Sequence, residues 1–535
     1  MTHVKAPFKP SPLQNAIFDK VRNDACNIVI NAVAGSGKTT TIVEISKLIP
    51  VSKRAIFLAF NRDIVKELRT KLPSHIEVKT IHSFGLNELR FKYGRSPEVV
   101  QSEFIDDSKI SKIIVERSAF WGPFSDTPEE EETEKLNYCA RVERIVDVMR
   151  MCLPQSRLEI IDLCEKFDIA LLNGEIDRAK EVLILSNRIK TKFDFTDMIY
   201  RPAMSGLDPN EAPNGGKWRL KQYDYVIVDE CQDFNKAQQK IISKIVKPSG
   251  GRMIAVGDPR QSIYGFAGAD VSSFNNLKTL FPNTVEMSLS VCYRCDRSII
   301  DHAQDIVEYI SARDNAGRGT MRQGSIKEIK DGDLVLCRNT RPLVALCLQF
   351  IAQGRKATIK GGDIGKNLIN MVRNTKVKLI EPMFNKFNKE YDKLIKKAKT
   401  QYPLKPAEEV SYVANMNDKI EALRAISKTC KNTEEVVRLI ESIFTDNVSG
   451  IVLSTVHKAK GLEADNVFII ERFRMPAPFA NKEWEQEQES NLDYVARTRA
   501  KHKLIYINDW VSDEDKRRDL IASLVDIPKN ERVAA

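Results

Sequence analysis

The chain has 535 residues, 42% hydrophobic and 29% charged, with a formal net charge of +10. A single core stops growing well before that length, so more than one domain is expected. No run approaches about 18 consecutive apolar residues, and the opening "MTHVKAPFKPSPLQ" lacks an apolar signal core, so neither a membrane span nor a secretory leader is expected.

The positive charge has the sign that suits a phosphate backbone. Ten scattered cysteines read as reduced thiols of an intracellular protein, not as a disulfide framework. The expected location is cytoplasmic and nucleoid-associated, or the equivalent compartment of an infected host cell.

Short apolar runs rich in β-branched residues recur along the chain. In order they are "NIVINAVA" (27–34), "AIFLAF" (55–60), "YDYVIVDE" (223–230), "MIAVGD" (253–258), "TVEMSL" (284–289), "DLVLC" (333–337), "GIVLSTV" (450–456), "NVFII" (466–470) and "KLIYIN" (503–508). Helix-length segments separate them, which predicts buried parallel strands in two α/β domains. Two charged, helix-periodic stretches interrupt the rhythm. One runs from about 87 to 220 and carries the acidic run "EEEETE" (129–134), a solvated face. The other runs from about 366 to 445 and includes "KFNKEYDKLIKKAKTQYPLK". The predicted organisation is a first α/β domain over 1–86 and 196–285, interrupted by a helical insertion over 87–195. A second domain covers 286–365 and 446–535, with a smaller insertion over 366–445. The start "KPSPLQ" and the end "KNERVAA" read as frayed.

The most informative stretch is "NIVINAVAGSGKTTT". A strand-like run enters a Gly-rich turn and a helix-compatible segment follows. The phosphate-loop pattern places Gly five positions before Gly-Lys-Ser/Thr; here Ala32 takes that first position and Gly37, Lys38 and Thr39 fit. Ala32, Val33, Ala34, Gly35, Ser36, Gly37, Lys38, Thr39 and Thr40 are therefore the expected nucleotide loop. Backbone N–H groups and a helix N-terminus would cradle phosphate oxygens, Lys38 would reach the β- and γ-phosphates, and the Thr39 hydroxyl would ligate Mg²⁺. "YVIVDECQD" delivers Asp229 and Glu230 at the end of a strand, where ligands sit in open α/β sheets. Asp229 would hold the metal and Glu230 would take a proton from attacking water. "CYRC" (292–295) has the spacing of a zinc or redox pair. No second Cys/His pair lies at ligand spacing and no thioredoxin-like context surrounds it, so neither a metal nor a redox role is expected of Cys292 and Cys295.

Taken in order, "PLQNAIF", "AVAGSGKTT", "LAFNRD", "TIHSF", "VDECQD", "GDPRQSIYGFAGAD", "LSVCYRC", "LSTVHKAKGLE" and "NLDYVARTRA" resemble the motif series of UvrD/Rep-type superfamily 1 DNA helicases over roughly residues 11–501. "LAFN" and the compact size are most similar to the F-box-helicase-like branch, without an F-box. The resemblance implies two RecA-like P-loop domains with ATP and Mg²⁺ in the cleft between them. Gln14 matches the glutamine that reads adenine, Gln261 the γ-phosphate sensor, and Arg294 and Arg499 the two arginines of the second domain. Tyr293 would stack on the adenine and Glu463 would contact the nucleotide sugar. Phe60, Asn61, His82, Tyr264, Phe266, Thr455 and His457 match positions that touch DNA; stacking on aromatics is sequence-tolerant and suits a translocase. Ala267 departs from the arginine usual in the family.

The function so implied is a DNA-dependent ATPase: an ATP-driven helicase and translocase on single-stranded DNA and tailed duplexes, moving 3′ to 5′, in repair, recombination or replication. A monomer is expected, with replication or recombination proteins as partners. The alternative, motivated by Ala267 and the short second insertion, is a DNA-stimulated ATPase that remodels protein–DNA complexes or recruits partners without efficient unwinding. A nuclease-linked motor is not expected, because no appended nuclease-like acidic cluster is visible after "TRAK" (498–501).

Overall fold

The computed structural model describes residues 8–94, 104–124, 128–169, 171, 174–206, 219–265, 268, 270, 272–401, 406–447 and 449–529. By internal contacts the chain forms two units, residues 1–32 with 37–289, and residues 33–36 with 290–535.

The first unit is built on six strands: β1 (Asn27–Ala32), β2 (Ala55–Ala59), β3 (Ile76–Thr80), β4 (Tyr225–Val228), β5 (Arg252–Gly257) and β6 (Thr284–Leu289). They pair in the order β3-β2-β4-β5-β1-β6, every pair parallel. Alternate residues point to opposite faces, and both faces are covered. Ile28, Ile30, Phe57, Ile227 and Ile254 pack with α1 (Pro12–Asn23), α2 (Lys38–Lys47) and α3 (Arg62–Arg69). Val29, Ile56, Leu58, Val226 and Ala255 pack on the other side against α4 (Ile81–Lys92) and later helices. Two-sided burial is why β1, β2, β4 and β5 read as continuous apolar runs.

The expected fraying at "KPSPLQ" stops at Ser11. Its side chain caps α1 by accepting from the Gln14 N–H, while the Gln14 side chain accepts from the Ser11 N–H, and Pro12 occupies the first helical turn.

The first insertion is helical. Helices α5 (Lys109–Ser118), α6 (Pro128–Cys152), α7 (Arg157–Lys166) and α8 (Glu175–Arg188) enclose their own core around Ile110, Ile114, Val142, Ile145, Val146 and Val182. Helix α9 (Asp197–Met204) then returns the chain to α4. The approach is close: a Cβ at Gly85 would lie 1.7 Å from the Met198 carbonyl oxygen. Helices α10 (Lys236–Ile245) and α11 (Ser273–Leu280) complete this unit.

The second unit contains a two-stranded pair, β7 (Val291–Cys292) with β8 (Ser311–Ala312), and a seven-stranded sheet. Its strands are β9 (Thr320–Gly324), β10 (Leu334–Cys337), β11 (Ala357–Lys360), β12 (Phe444–Thr445), β13 (Ile451–Thr455), β14 (Ala464–Ile469) and β15 (Ala500–Ile507). They run in the order β12-β11-β13-β10-β14-β15-β9, all pairs parallel. Helices α12 (Arg297–Ala303) and α13 (Thr340–Ala352) precede the smaller insertion, which is α14 (Gly362–Asn374), α15 (Ile380–Gln401), α16 (Ser411–Ser427) and α17 (Thr433–Ile443). Unlike the first insertion, this one shares the sheet's core. Phe384, Phe387, Leu423, Ile426 and Ile440 belong to the same apolar cluster as Val335, Leu453 and Phe468. Helix α18 (Glu483–Arg497) leads into β15, and α19 (Arg517–Ala522) is the last helix among the described residues.

Candidate nucleotide and nucleic-acid sites

In a parallel sheet every strand ends at the same edge. In the first unit β4, β5 and β1 are adjacent, and their C-terminal ends deliver the "DE" pair, the "GDPRQ" segment and the phosphate loop side by side. The loop turns into α2 at Gly37, whose φ of 83° is left-handed and suits glycine. Lys38 donates to the Ala32 carbonyl oxygen at 3.4 Å. Thr39 and Thr40 are exposed on the first turn of α2. Gln14 is buried; besides capping α1 it donates to Thr41 Oγ1 at 2.9 Å.

Asp229 is buried and accepts the Glu230 N–H at 2.9 Å. Glu230 itself adopts φ 52°, ψ 41°, a left-handed backbone rare for a residue with a side chain and common at functional positions. Asp258 is buried, and loss of hydration pushes its carboxyl upward; the positive charge of Lys38 and hydrogen bonds from Gln261 and the Arg260 N–H oppose this. Gln261 Nε2 donates to Asp258 Oδ2 at 2.7 Å.

These groups fit a magnesium nucleotide. Asp229, Glu230 and Thr39 are hard oxygen donors. Among the described residues no three His, Cys, Asp or Glu side chains converge as a metal cage. The three would hold an ion together with water and nucleotide phosphate, the usual arrangement for Mg²⁺. The buried Ser36 hydroxyl, without a partner among the described residues, is a further polar group on the loop.

The neighbouring strand ends, β2 and β3, carry a different chemistry. Phe60 is 40% exposed, and Asn61 follows it as the cap of α3, accepting the Ile64 N–H at 2.9 Å. The Phe60 ring stacks on Tyr264 with centroids 6.1 Å apart and planes at 17°. His82, on the first turn of α4, stacks on Phe195 at 4.1 Å and 22°. The four rings line one groove of about 330 Å³ with Arg150, Met151, Asn235 and Gln238. Burial, reinforced by Arg62, lowers the His82 imidazole to about 4, so it is neutral at physiological pH. Phe266, and Ala267 beside it, lie outside the described residues.

In the second unit, Arg294 Nε pairs with Glu463 Oε2 at 2.7 Å and its Nη1 donates to the Thr498 carbonyl oxygen at 3.3 Å. Glu463 also pairs with Lys501 at 3.0 Å. Arg499 is 2% exposed and donates to the carbonyl oxygens of Val495 and Leu462. Tyr293 is 40% exposed, and its N–H donates to the Gly35 carbonyl oxygen at 2.8 Å. The Tyr494 hydroxyl accepts the Ala34 N–H at 2.9 Å. Glu463 and Arg499 precede β14 and β15, whereas Thr455 and His457 lie at the end of β13, so the two pairs occupy opposite edges of one sheet. Burial lowers the His457 imidazole to about 3, with Arg338 and Lys458 adding to the effect.

Sequence reasoning missed Phe195, Gln232, Asp258 and Tyr494. Phe195 sits in "FDFTD", where Phe193 is core and Phe195 is 49% exposed. Nothing in the local pattern separates the two; only the fold, which sets the Phe195 ring on His82, does so.

Parallel α/β units, a phosphate loop after the first strand and a carboxylate pair after a neighbouring strand define a P-loop protein of the nucleoside-triphosphatase class. The chain belongs to the UvrD/Rep helicase family: residues 13–282 match the UvrD/REP helicase N-terminal domain and residues 362–509 the UvrD-like helicase C-terminal domain. F-box DNA helicase protein 1 of Schizosaccharomyces pombe is 24% identical over 530 residues, 93% of this chain and 57% of that protein. F-box DNA helicase 1 of Gallus gallus is 24% identical over 518 residues, 89% of this chain and 47% of that protein. The ATP-dependent DNA helicase PcrA of Leuconostoc citreum is 24% identical over 319 residues, 56% of this chain and 40% of that protein. The chain thus spans about half the length of the curated relatives it matches.

Proposed function

We propose that this protein is an ATP-dependent helicase and translocase on single-stranded DNA, moving 3′ to 5′ and serving repair, recombination or replication. The observation that carries the reading is one segment of the first unit. Residues 258–264 hold Gln261 beside the phosphate-loop edge and Tyr264 in the aromatic groove. Phosphate chemistry and base stacking therefore share a seven-residue loop.

In the proposed reaction Lys38 and the α2 N-terminus neutralise phosphate charge, and Glu230 takes the proton of the attacking water. Asp229, Glu230 and Thr39 would hold Mg²⁺, and the ion when bound would supply positive charge at the phosphate oxygens. Arg294 and Arg499 add permanent positive charge as the γ-phosphoryl leaves; release from Glu463 and from the Val495 and Leu462 carbonyls accompanies that contact. The groove of Phe60, His82, Phe195 and Tyr264 stacks bases without reading sequence.

The test is ATP hydrolysis with and without single-stranded DNA, with Lys38→Ala as control. Equal rates with and without DNA would end the motor reading. Unwinding of 3′-tailed against 5′-tailed duplexes then tests polarity. The second reading, a remodelling ATPase, is favoured by Ala267 in place of the family arginine; stimulated hydrolysis without strand separation on either substrate would select it.

A further inference from the structure

Glu230 and Gln261 are joined through protein groups. Gln232 is 2% exposed and both ends of its amide are engaged. Its Nε2 donates to Glu230 Oε2 at 2.5 Å and reaches Asp233 Oδ2 at 3.5 Å. Its Oε1 accepts the Asp258 N–H at 3.1 Å, and Ser262 Oγ donates to its carbonyl oxygen at 3.3 Å. Asp258 Oδ2 in turn accepts from Gln261 Nε2 at 2.7 Å. The path Glu230–Gln232–Asp258–Gln261 is unbroken. It also explains Gly257: a Cβ there would fall 2.4 Å from Gln232 Oε1 and 2.8 Å from Cys231 Sγ.

We infer that Gln232 is a positioning residue that fixes the Glu230 carboxylate for proton transfer and ties its placement to that of Gln261. This rests on the ATP-hydrolase reading above. In the step served, the water oxygen bonds to the γ-phosphorus as the bond to the β–γ bridging oxygen breaks, and the water proton passes to a Glu230 carboxylate oxygen. Glu230 leaves β4 on a left-handed backbone and its side chain has three torsions, so the strand alone does not aim it. The buried amide donor selects one conformer. Because the same amide accepts from the Asp258 backbone, a shift of the 258–261 segment when Gln261 meets the γ-phosphate reaches Glu230 directly. A packing role would require volume at position 232 but no donor.

The experiment uses the full chain with saturating oligo-dT and compares wild type, Gln232→Leu, Gln232→Glu, Glu230→Gln and the Glu230→Gln/Gln232→Leu double variant. Gln232→Leu should lower kcat by about 100-fold, the cost of misplacing a reacting group by about 1 Å. KM for ATP and affinity for a fluorescent ADP should stay at wild-type values, while the melting midpoint should fall modestly because the buried Asp258 N–H loses its acceptor. Gln232→Glu turns the donor into an acceptor facing Glu230 and should lose kcat likewise; it serves as the reading if the leucine variant does not fold. In the Glu230→Gln background the residual rate should be indifferent to Gln232→Leu, since the effect acts through Glu230. Near-wild-type kcat in either position-232 variant, or losses that multiply in the double variant, would overturn the inference. A wild-type protein without DNA-stimulated hydrolysis would instead overturn the ATPase reading.

Discussion

Tyr264 lies stacked on Phe60 and follows Gln261 by three residues, so a ring in the base groove and an amide at the phosphate edge move on one short segment. Loss of the ring should weaken DNA's hold on the motor. Tyr264→Ala should raise the oligo-dT concentration for half-maximal ATPase stimulation by about 10-fold, within the 1–3 kcal/mol typical of a stacked base. Tyr264→Phe, which keeps the ring, should stay near wild type. Equal half-maximal concentrations for the alanine variant and wild type would remove Tyr264 from the DNA site.

Phe195 was invisible to motif reasoning yet supplies the partner ring of His82. Phe195→Ala should weaken single-stranded DNA binding by about 10-fold by loss of stacking, while the slope of log affinity against log salt stays unchanged because no phosphate contact is lost. A changed salt slope in a fluorescence-anisotropy titration would mean that the groove binds backbone and not bases.

The segment carrying Phe195 is fixed by buried charge. Arg150 donates to both oxygens of Asp194 at 2.8 and 2.6 Å, and Asp197, fully buried, pairs with Lys109 and Arg201. Removing one carboxylate leaves cations buried without compensation, a loss of about 3–5 kcal/mol. Asp197→Ala should therefore lower the denaturant midpoint far more than Asp177→Ala, whose pair with Arg157 is exposed and worth about 0–1 kcal/mol. Equal shifts would show that the buried network does not anchor this segment.

The "CYRC" turn resolves into two packing residues and two exposed to other chemistry. Cys292 and Cys295 are fully buried, and the Cys295 N–H donates to Cys292 Sγ at 3.5 Å. The Cys295 hydrogen bond lowers the Cys292 thiol to about 6, against the opposing effect of burial. A Cβ on Gly35 would meet Arg294 Cβ at 2.7 Å and Cys292 Sγ at 2.8 Å, so the turn is packed tightly on the loop. Replacing both cysteines by serine should leave ATP hydrolysis within about 3-fold of wild type, the cost of a small packing change of under about 1 kcal/mol. Arg294→Ala should lower kcat by about 1,000-fold if it is the arginine that meets the γ-phosphate. The reverse pattern in a steady-state assay would return function to the thiols.

Most strands legible in the sequence were buried on both faces; β6, read as "TVEMSL", is an edge strand in which only Leu289 is buried. "NIVINA", "AIFLA" and "MIAVG" show no alternation to miss. The unread ones were β3, β9 and β12 at sheet edges, the short β11, and the two-residue β7 and β8. "IEVKT" and "TMRQG" alternate buried with part-exposed positions and carry charge, so they resemble turns. The phosphate loop and the carboxylate pair were legible because their spacing is dictated by phosphate geometry and is local. Gln232 and Asp258 were quoted inside motifs without a role, because their partnership crosses from β4 to β5 and only the fold brings it together. Phe195 needed the same step, since His82 is 113 residues earlier.

His302 offers a test of stability that is independent of the motor. It is 4% exposed, its Nε2 lies 2.9 Å from the Tyr506 hydroxyl, and Arg497 Nη1 lies 3.3 Å from its Nδ1. Asp305 Oδ2 also lies 3.3 Å from Nδ1; a guanidinium can only donate, so the Arg497 contact requires the tautomer in which Nδ1 accepts and the Nε2–H faces Tyr506. Burial, reinforced by Arg497, lowers the imidazole to about 4; Asp493 and Asp305 act the other way, and Arg472 adds to the lowering. The folded value lies below the unfolded one near 6.5, so unfolding takes up a proton between those limits. Stability supplied by the neutral ring is therefore complete above about pH 6.5 and is lost as pH falls toward 4. The loss should reach about 2 kcal/mol between pH 7 and 5. His302→Gln keeps an acceptor for Arg497 and a donor for Tyr506 but cannot titrate. Denaturant unfolding at the two pH values should show a smaller acid loss in the glutamine variant than in wild type, by about that amount, with His82 and His457 contributing equally to both proteins. Identical acid losses would mean that His302 is not held neutral in the folded unit.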